Sequence, residues 1–132
     1  RAQDQDSGLW YQVMDCNGRQ GNYLEASGSC MLTYALAKGI RLHYLAEIDI
    51  GVVERAYDGI KKRFLTADAE GLHLHGICHG AGLGGRKYRD GSYEYYLSEK
   101  VVSDSLMGVA PLLLASIEME RLQAGDEVGH RG

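Results

Sequence analysis

"SGSCMLTYALAKGIRLHYLA", from Ser27 to Ala46, decides how the rest of the chain is read. Met31, Leu32, Tyr34, Ala35, Leu36, Ala37, Ile40 and Leu42 fall on nearly every side of a 3.6-residue repeat. A helix that is apolar all round must be surrounded by other elements. Ser27 or Ser29 can cap it, because a serine oxygen accepts from a free backbone N–H of the first turn. The next stretch has a different character. "DIGVVERAYDGIKKRF", Asp49 to Phe64, sets Val52, Val53, Ala56, Tyr57, Ile60 and Phe64 on one face. Glu54, Arg55, Asp58, Lys61 and Lys62 take the other. This predicts a surface helix with one wet side, capped by Asp49. Lys61-Lys62-Arg63 is its solvated last turn, where cations suit the negative end of the helix.

A further apolar helix is expected from about Gly108 to Leu122, with Pro111 in its first turn, where a missing N–H costs nothing. Its opening, "MGVAPLLLASIEM", echoes "SGSCMLTYALAKG": small residues run into an apolar helix, and a polar loop comes just before. Buried helices alternating with a surface helix are what an inner and an outer helical ring would produce. An ordinary small helical bundle with a β-hairpin would produce the same pattern. Elsewhere, residues 1–26 read as irregular, with a short strand in "GLWYQVMD" (Gly8 to Asp15) and turns in "CNGRQGN" (Cys16 to Asn22). "GLHLHGICHG" (Gly71 to Gly80) predicts a strand, and "SYEYYLSEKVV" (Ser92 to Val102) another. Residues 123–132 read as a frayed polar tail.

The bulk properties narrow the class. A length of 132 residues fits one domain, with about two-thirds of the unfolded surface available for burial. A net charge of −4 supplies no basic footprint for nucleic acid. No run approaches the ~20 apolar residues of a membrane span. Cys16, Cys30 and Cys78 form an odd, sparse set, which reads as a reducing compartment, hence cytoplasmic. Glycine is 18 of 132, about twice its average use of ~7%, while proline occurs once; this predicts tight loops rather than a linker. The chain opens at Arg1 in a polar stretch, which reads as a piece of a longer protein.

Candidate chemistry concentrates in two places. His73, His75, Cys78 and His79 are potential zinc ligands, but they sit within seven residues, whereas structural zinc sites draw on two separated pairs. Solvent-facing strand histidines are the simpler account. "GAGLGG" (Gly80 to Gly85) matches Gly-x-Gly-x-x-Gly, yet the sequence after it is not a helix start, which a dinucleotide site requires. Glu25 is a candidate general acid, or else it bonds the N–H groups of its helix start. Asp90, before Gly91, is either an acid or a turn residue. The stronger candidate is "GLGGRKYRDGSYEYYLSE" (Gly82 to Glu99). Arg86, Lys87 and Arg89 can hold an anion. Tyr88, Tyr93, Tyr95 and Tyr96 offer flat faces with hydroxyl tips, and glycines free backbone amides. An acidic sugar has the matching chemistry: a carboxylate, hydroxyls and a ring face. A solvated loop with core tyrosines is the alternative.

Four blocks in order, "GLWYQVMD", "GNYLEASGSCMLTYALAKGIR", "GICHGAGLGGRKYRDGSYEYYLSEKVVSD" and "GVAPLLLASIEMER", resemble the C-terminal third of the unsaturated rhamnogalacturonyl hydrolases, glycoside hydrolase family 105. These are cousins of the family 88 unsaturated glucuronyl hydrolases. The resemblance spans about Ser7 to Arg121. It implies an all-α fold, a segment of an (α/α)6 six-hairpin toroid, with a short β-hairpin in the loop before the last helix. Residues 1–132 would be the C-terminal portion of that single barrel domain. It implies a substrate, the pectin-derived disaccharide ending in 4,5-unsaturated galacturonic acid, and a reaction in which an Asp protonates the double bond and water adds to the neighbouring carbon. No metal or organic cofactor takes part in that family chemistry. The family's catalytic Asp has no matching position in this chain, so no catalytic residue is carried over. Gly84, Gly85, Arg86, Lys87, Tyr88 and Arg89 match the family loop that contacts substrate at the mouth of the site. The expected partner is therefore an unsaturated acidic disaccharide, with neither nucleic acid nor membrane. A slice of the ring standing alone would expose apolar helix faces and self-associate, or pack against the missing part of the barrel.

Overall fold

The computed structural model describes residues 2–45 and 48–125. The order of elements is α1 (Ala26–Arg41), α2 (Ile50–Phe64), β1 (Leu65–Ala67), β2 (Leu72–Leu74), β3 (Ile77–Cys78), α3 (Tyr93–Ser98), β4 (Val101–Val102) and α4 (Leu106–Ala124). The protein is thus mostly helical, with two small antiparallel strand pairs, β1–β2 and β3–β4.

Helix α1 starts on neither serine. Glu25 is its N-cap, and its carboxylate accepts from the N–H groups of Ser27 and Gly28. The Ser29 hydroxyl instead accepts from Trp10 N–H at 3.1 Å, which fastens the N-terminal segment onto the helix. The helix ends at Arg41, earlier than the apolar pattern predicts. His43 takes φ of 61°, a left-handed conformation through which no helix continues. Tyr44 and Leu45 then turn their N–H groups back to the carbonyl of Gly39. Ala46, the expected end, lies outside the described residues.

The side of α1 that is covered is its small one: Ala26, Ser27, Ser29, Cys30, Thr33, Ala37 and Gly39 are buried. Small residues let α2 and α4 approach closely. Met31 and Ala35 are exposed and Leu32, Tyr34 and Leu36 only half-buried, so one flank of this apolar helix has no cover within the described residues. Helix α2 forms as its periodicity predicts, with Asp49 as cap and Val53, Ala56, Gly59, Ile60 and Phe64 buried.

Helix α4 begins at Leu106 behind the cap Ser105, so Pro111 is its sixth residue rather than part of its first turn. The bond that Pro111 cannot donate would have ended at Met107, in an exposed turn where water can replace it. The helix continues to Ala124, so the first two residues of the expected tail are helical; residues 126–132 lie outside the described residues. Leu112, Ala115 and Met119 face inward, while Leu113, Leu114 and Ile117 are exposed.

Three further expectations change. "GLWYQVMD" forms no strand, only a single bridge between Tyr11 and Leu24. The strand expected over Gly71 to Gly80 breaks at Gly76, whose φ of 78° few other residues tolerate. A Cβ there would also stand 2.8 Å from the Phe64 ring. Two strands result, β2 and β3, which pair with different partners. "SYEYYLSE" is helical, not extended: Ser92 caps α3 by accepting from Tyr95 N–H, and only Val101–Val102 form a strand.

The core joins these parts. Leu9, Ala26, Cys30, Ile60, Phe64, Leu74, Ile77 and Leu112 form one buried cluster, and Ala37, Val53 and Met119 another. The first cluster gathers the start of α1, the end of α2 and the start of α4. The second gathers the later turns of α1 and α4 with the early turns of α2. Helices α1 and α4 therefore run parallel, with α2 antiparallel to both. That is the relation of two inner helices and one outer helix, as the ring reading requires.

Candidate functional site

The chain leaves the core at β3 and returns at β4, and the excursion between them, residues 79–100, carries the candidate site. Its neck is short: Ile77 pairs with Val102 and Cys78 with Val101. His79 N–H adds a bond to the carbonyl of Lys100 at 2.8 Å.

Beyond the neck, the loop is built on its own glycines and tyrosines. Gly84 and Arg89 exchange backbone hydrogen bonds, Gly84 N–H to Arg89 O at 2.8 Å and Arg89 N–H to Gly84 O at 3.2 Å. Gly84 and Gly85 close this tip with φ of 67° and 91°. The Arg89 side chain folds back over it, and its Nε donates to Gly84 O at 2.9 Å. A side chain at Gly82 would collide with that guanidinium. Behind the tip, Tyr95 Oη accepts from Gly82 N–H at 3.2 Å and donates to Glu99 Oε1 at 2.6 Å. The bond to Glu99, ahead of desolvation, raises the Tyr95 phenol above its ordinary value. Tyr93 Oη reaches the carbonyls of Arg19 and Gln20, and the Arg19 guanidinium covers its ring at 3.7 Å. Asp90 accepts from Ser92 N–H at 2.9 Å, which makes it a turn residue; that bond holds its carboxyl below the usual range.

The six residues singled out in sequence therefore divide. Gly84, Gly85 and Arg89 shape the tip, and Arg89 spends its Nε donor on the loop itself. Arg86, Lys87 and Tyr88 stand outward at its end, Tyr88 with 81% of its surface exposed. Two cations beside an open aromatic face can take a carboxylate and a sugar ring together.

Glu25 sits elsewhere and does other work. It is buried, and its carboxylate accepts from Ser27 N–H and Oγ, Gly28 N–H and Cys78 N–H. The last bond, at 2.9 Å, ties the cap of α1 to the neck of the loop. With four donors aimed at it, the group is a structural acceptor. Beside it, on the uncovered flank of α1, opens a cleft of about 330 Å³ lined by Trp10, Gln12, Met14, Glu25, Met31 and Leu32. Sequence reasoning missed this cleft, because its walls come from two segments brought together by non-local bonds, Trp10 N–H to Ser29 Oγ and Glu25 N–H to the Trp10 carbonyl.

The histidines do not converge with the cysteine. His73 on β2 and His75 just after it have ring centroids 6.5 Å apart, each held by neighbouring side chains, whereas Cys78 is buried and accepts from Gln12 Nε2. Among the described residues no group of three or more His, Cys, Asp or Glu is arranged to hold a metal. No helix among them is long and apolar enough to cross a membrane.

Comparison with known proteins places this geometry. The family described as Glycosyl Hydrolase Family 88 matches residues 1–123. Two curated relatives, Protein Atu3128 of Agrobacterium fabrum and the 24.9 kDa protein in picA locus of Rhizobium radiobacter, are each 43% identical over 124 residues, 89% of this chain and 53% of theirs. Among solved structures, a glycoside hydrolase from family 105 of C. acetobutylicum superposes with a TM-score of 0.86 at 50% identity, over 90% of this chain and 33% of that one. A possible member of the same family from Salmonella enterica gives a TM-score of 0.70 at 28% identity, over 93% of this chain and 28% of its own. The chain thus spans about half the length of its curated relatives and about a third of the solved hydrolases.

Proposed function

The chain belongs to glycosyl hydrolase family 88, and from that premise we propose that it is the C-terminal portion, residues 1–132, of one (α/α)6 barrel domain in an unsaturated uronyl hydrolase. Its mostly helical fold is a segment of the toroid seen in the family 105 enzymes. The observation that carries the proposal is the match of 90% of the chain to a family 105 glycoside hydrolase at 50% identity and a TM-score of 0.86. The substrate is the unsaturated galacturonyl-rhamnose disaccharide of pectin, and the reaction is hydration of its 4,5-double bond. Arg86 and Lys87 grip the carboxylate, Tyr88 covers a ring face, and Gly84, Gly85 and Arg89 hold the tip in shape. The proton comes from outside this chain, so the chain by itself binds and does not turn over. Three free thiols suit a reducing, cytoplasmic setting.

Calorimetric titration with the unsaturated disaccharide tests this. A charge-assisted contact is worth about 1.5–3 kcal/mol, so R86A/K87A should weaken binding at least about tenfold. Equal binding by the double variant would overturn the assignment of the tip.

A second reading rests on a separate observation. Met31 of α1 and Leu106, Met107, Leu113, Leu114 and Ile117 of α4 are all exposed, and clustered exposed apolar surface marks association sites. On this reading the chain is a non-catalytic module that associates with itself through α1 and α4. Light scattering separates the two: a monodisperse monomer would remove the second reading.

A further inference from the structure

We propose that His73, clamped between Asp68 and Asp104, is a proton-operated clasp on the neck of the 79–100 loop. The inference stands apart from any choice of substrate. His73 Nδ1 lies 2.8 Å from Asp104 Oδ2, and Nε2 lies 3.2 Å from Asp68 Oδ1. A neutral imidazole has one N–H and cannot donate to two carboxylates; the imidazolium can. The arrangement therefore favours the charged ring. Asp104 connects the ring to the backbone on both sides of the neck. Its Oδ1 accepts from Leu74 N–H at 2.8 Å, and its own N–H donates to Leu74 O at 2.8 Å. It does so in a left-handed conformation, φ 56°, uncommon outside glycine and short polar residues. His75, next on the same face, bridges Ser103 Oγ and Thr66 Oγ1, both at 2.7 Å.

These contacts bind the strand that feeds the loop to the segment by which the loop returns. The β3–β4 ladder between them has only two residue pairs. So short a ladder is marginal without support, and the His73 clasp braces its core side, in addition to the Glu25 bond to Cys78 N–H. The titratable groups facing His73 are Asp68 from the β1–β2 turn, Asp104 ahead of α4 and the neighbouring His75 ring. No Lys or Arg pairs with Asp68 or Asp104 among the described residues; His73 pairs with both, and the His75 ring adds a weaker attraction to Asp104.

The hydrogen bond to Asp104, then that to Asp68, hold the His73 imidazolium above its ordinary value of 6.5, while both carboxyls are held below theirs. The sign follows. The clasp is complete below the unfolded-state value of 6.5 and is lost as pH rises through the raised folded-state value. The neck is tight in mild acid and slack in base.

The test is NMR on the full chain from about pH 6 to about pH 9, the range in which histidine switches. The His73 ring is titrated, and exchange protection is measured at the Leu74 and Asp104 amides, corrected for intrinsic exchange. The expected result is a His73 midpoint above that of a free histidine, with protection falling several-fold across the same midpoint. H73N should show no such step. D68N keeps the turn acceptor and removes one charge, so it should lower the midpoint even if H73N fails to fold. A midpoint at or below the free value, level protection, the same step in H73N, or an unmoved midpoint in D68N would each overturn the clasp.

Discussion

Arg41, the last residue of α1, and Glu118, late in α4, meet as a buried ion pair: Nε to Oε2 at 2.7 Å and Nη2 to Oε1 at 3.1 Å. Their side chains are 7% and 5% exposed. The pair joins the two parallel helices at the end away from Gly76 and the loop neck. Breaking such a buried pair by removing one partner costs about 3–5 kcal/mol, whereas replacing both with apolar residues of similar volume is often neutral. E118A should therefore unfold at markedly lower urea than the natural chain, and R41M/E118M should recover most of the loss. Urea titration followed by circular dichroism checks both, and a double variant as unstable as E118A would show that the pair contributes more than mutual neutralisation.

The same pair sets an acid limit. The Arg41 hydrogen bond holds the Glu118 carboxyl below its ordinary value of 4.5. A depressed carboxylate contributes stability that is full above the unfolded value and lost as pH falls through the folded one. Stability below about pH 4.5 should therefore fall more steeply with acid in the natural chain than in E118Q. Parallel slopes in denaturant series at several acidic pH values would contradict this.

Glu25 should behave as a structural residue. E25A removes the acceptor for three N–H groups and one hydroxyl at once. Each buried donor left unsatisfied costs about 1–3 kcal/mol, so the variant should be destabilised by at least about 3 kcal/mol by the same rule. Its helical signal should melt together with the β3–β4 neck, since Cys78 N–H shares the carboxylate. A loss under about 1 kcal/mol, the size of an ordinary cap, would show that water replaces Glu25 without penalty.

Gly59 lies inside α2, where alanine would add about 1 kcal/mol of helix propensity. Here it cannot. A Cβ at Gly59 would strike the Ser7 carbonyl and stand 3.0 Å from Leu9 Cγ. G59A should lower the melting temperature despite the better propensity, because it pushes the N-terminal segment off the helix. A rise in melting temperature would mean that the segment gives way freely.

Cysteine reactivity should follow burial. Desolvation, with the Glu25 charge second, pushes the Cys30 thiol up to about 12, and Cys78 is also buried, whereas Cys16 is partly exposed. Only thiolates alkylate rapidly. Iodoacetamide at neutral pH should label Cys16 in the folded chain and reach Cys30 only after denaturation. Mass spectrometry of peptides decides it; equal labelling of Cys16 and Cys30 under native conditions would contradict the packing of α1.

Much of the fold is legible without coordinates. Helix α2 and its Asp49 cap read directly, because a 3.6-residue alternation of wet and dry is a local property of the chain. The turns at Cys16 to Asn22 and the glycine tip at Gly84 and Gly85 read for the same reason. Tyr93 to Ser98 misled: aromatic residues favour strands, but a Ser92 cap and packing under Arg19 and the loop tip hold a helical turn instead. Arg89 misled too, since a cation in a loop looks free until its Nε is found on the carbonyl of Gly84.

By itself, then, the sequence determined the helical class, the one-sided helix, the glycine-built loop and, through four ordered blocks, the family. Only the tertiary structure decided which flank of α1 is covered, that Glu25 joins a helix cap to a residue 53 positions away, and that His73 falls between two carboxylates. The physical reason is range. Periodicity, caps and turns are set by neighbours along the chain, whereas the partner of a buried charge is set by which distant segments the core brings together.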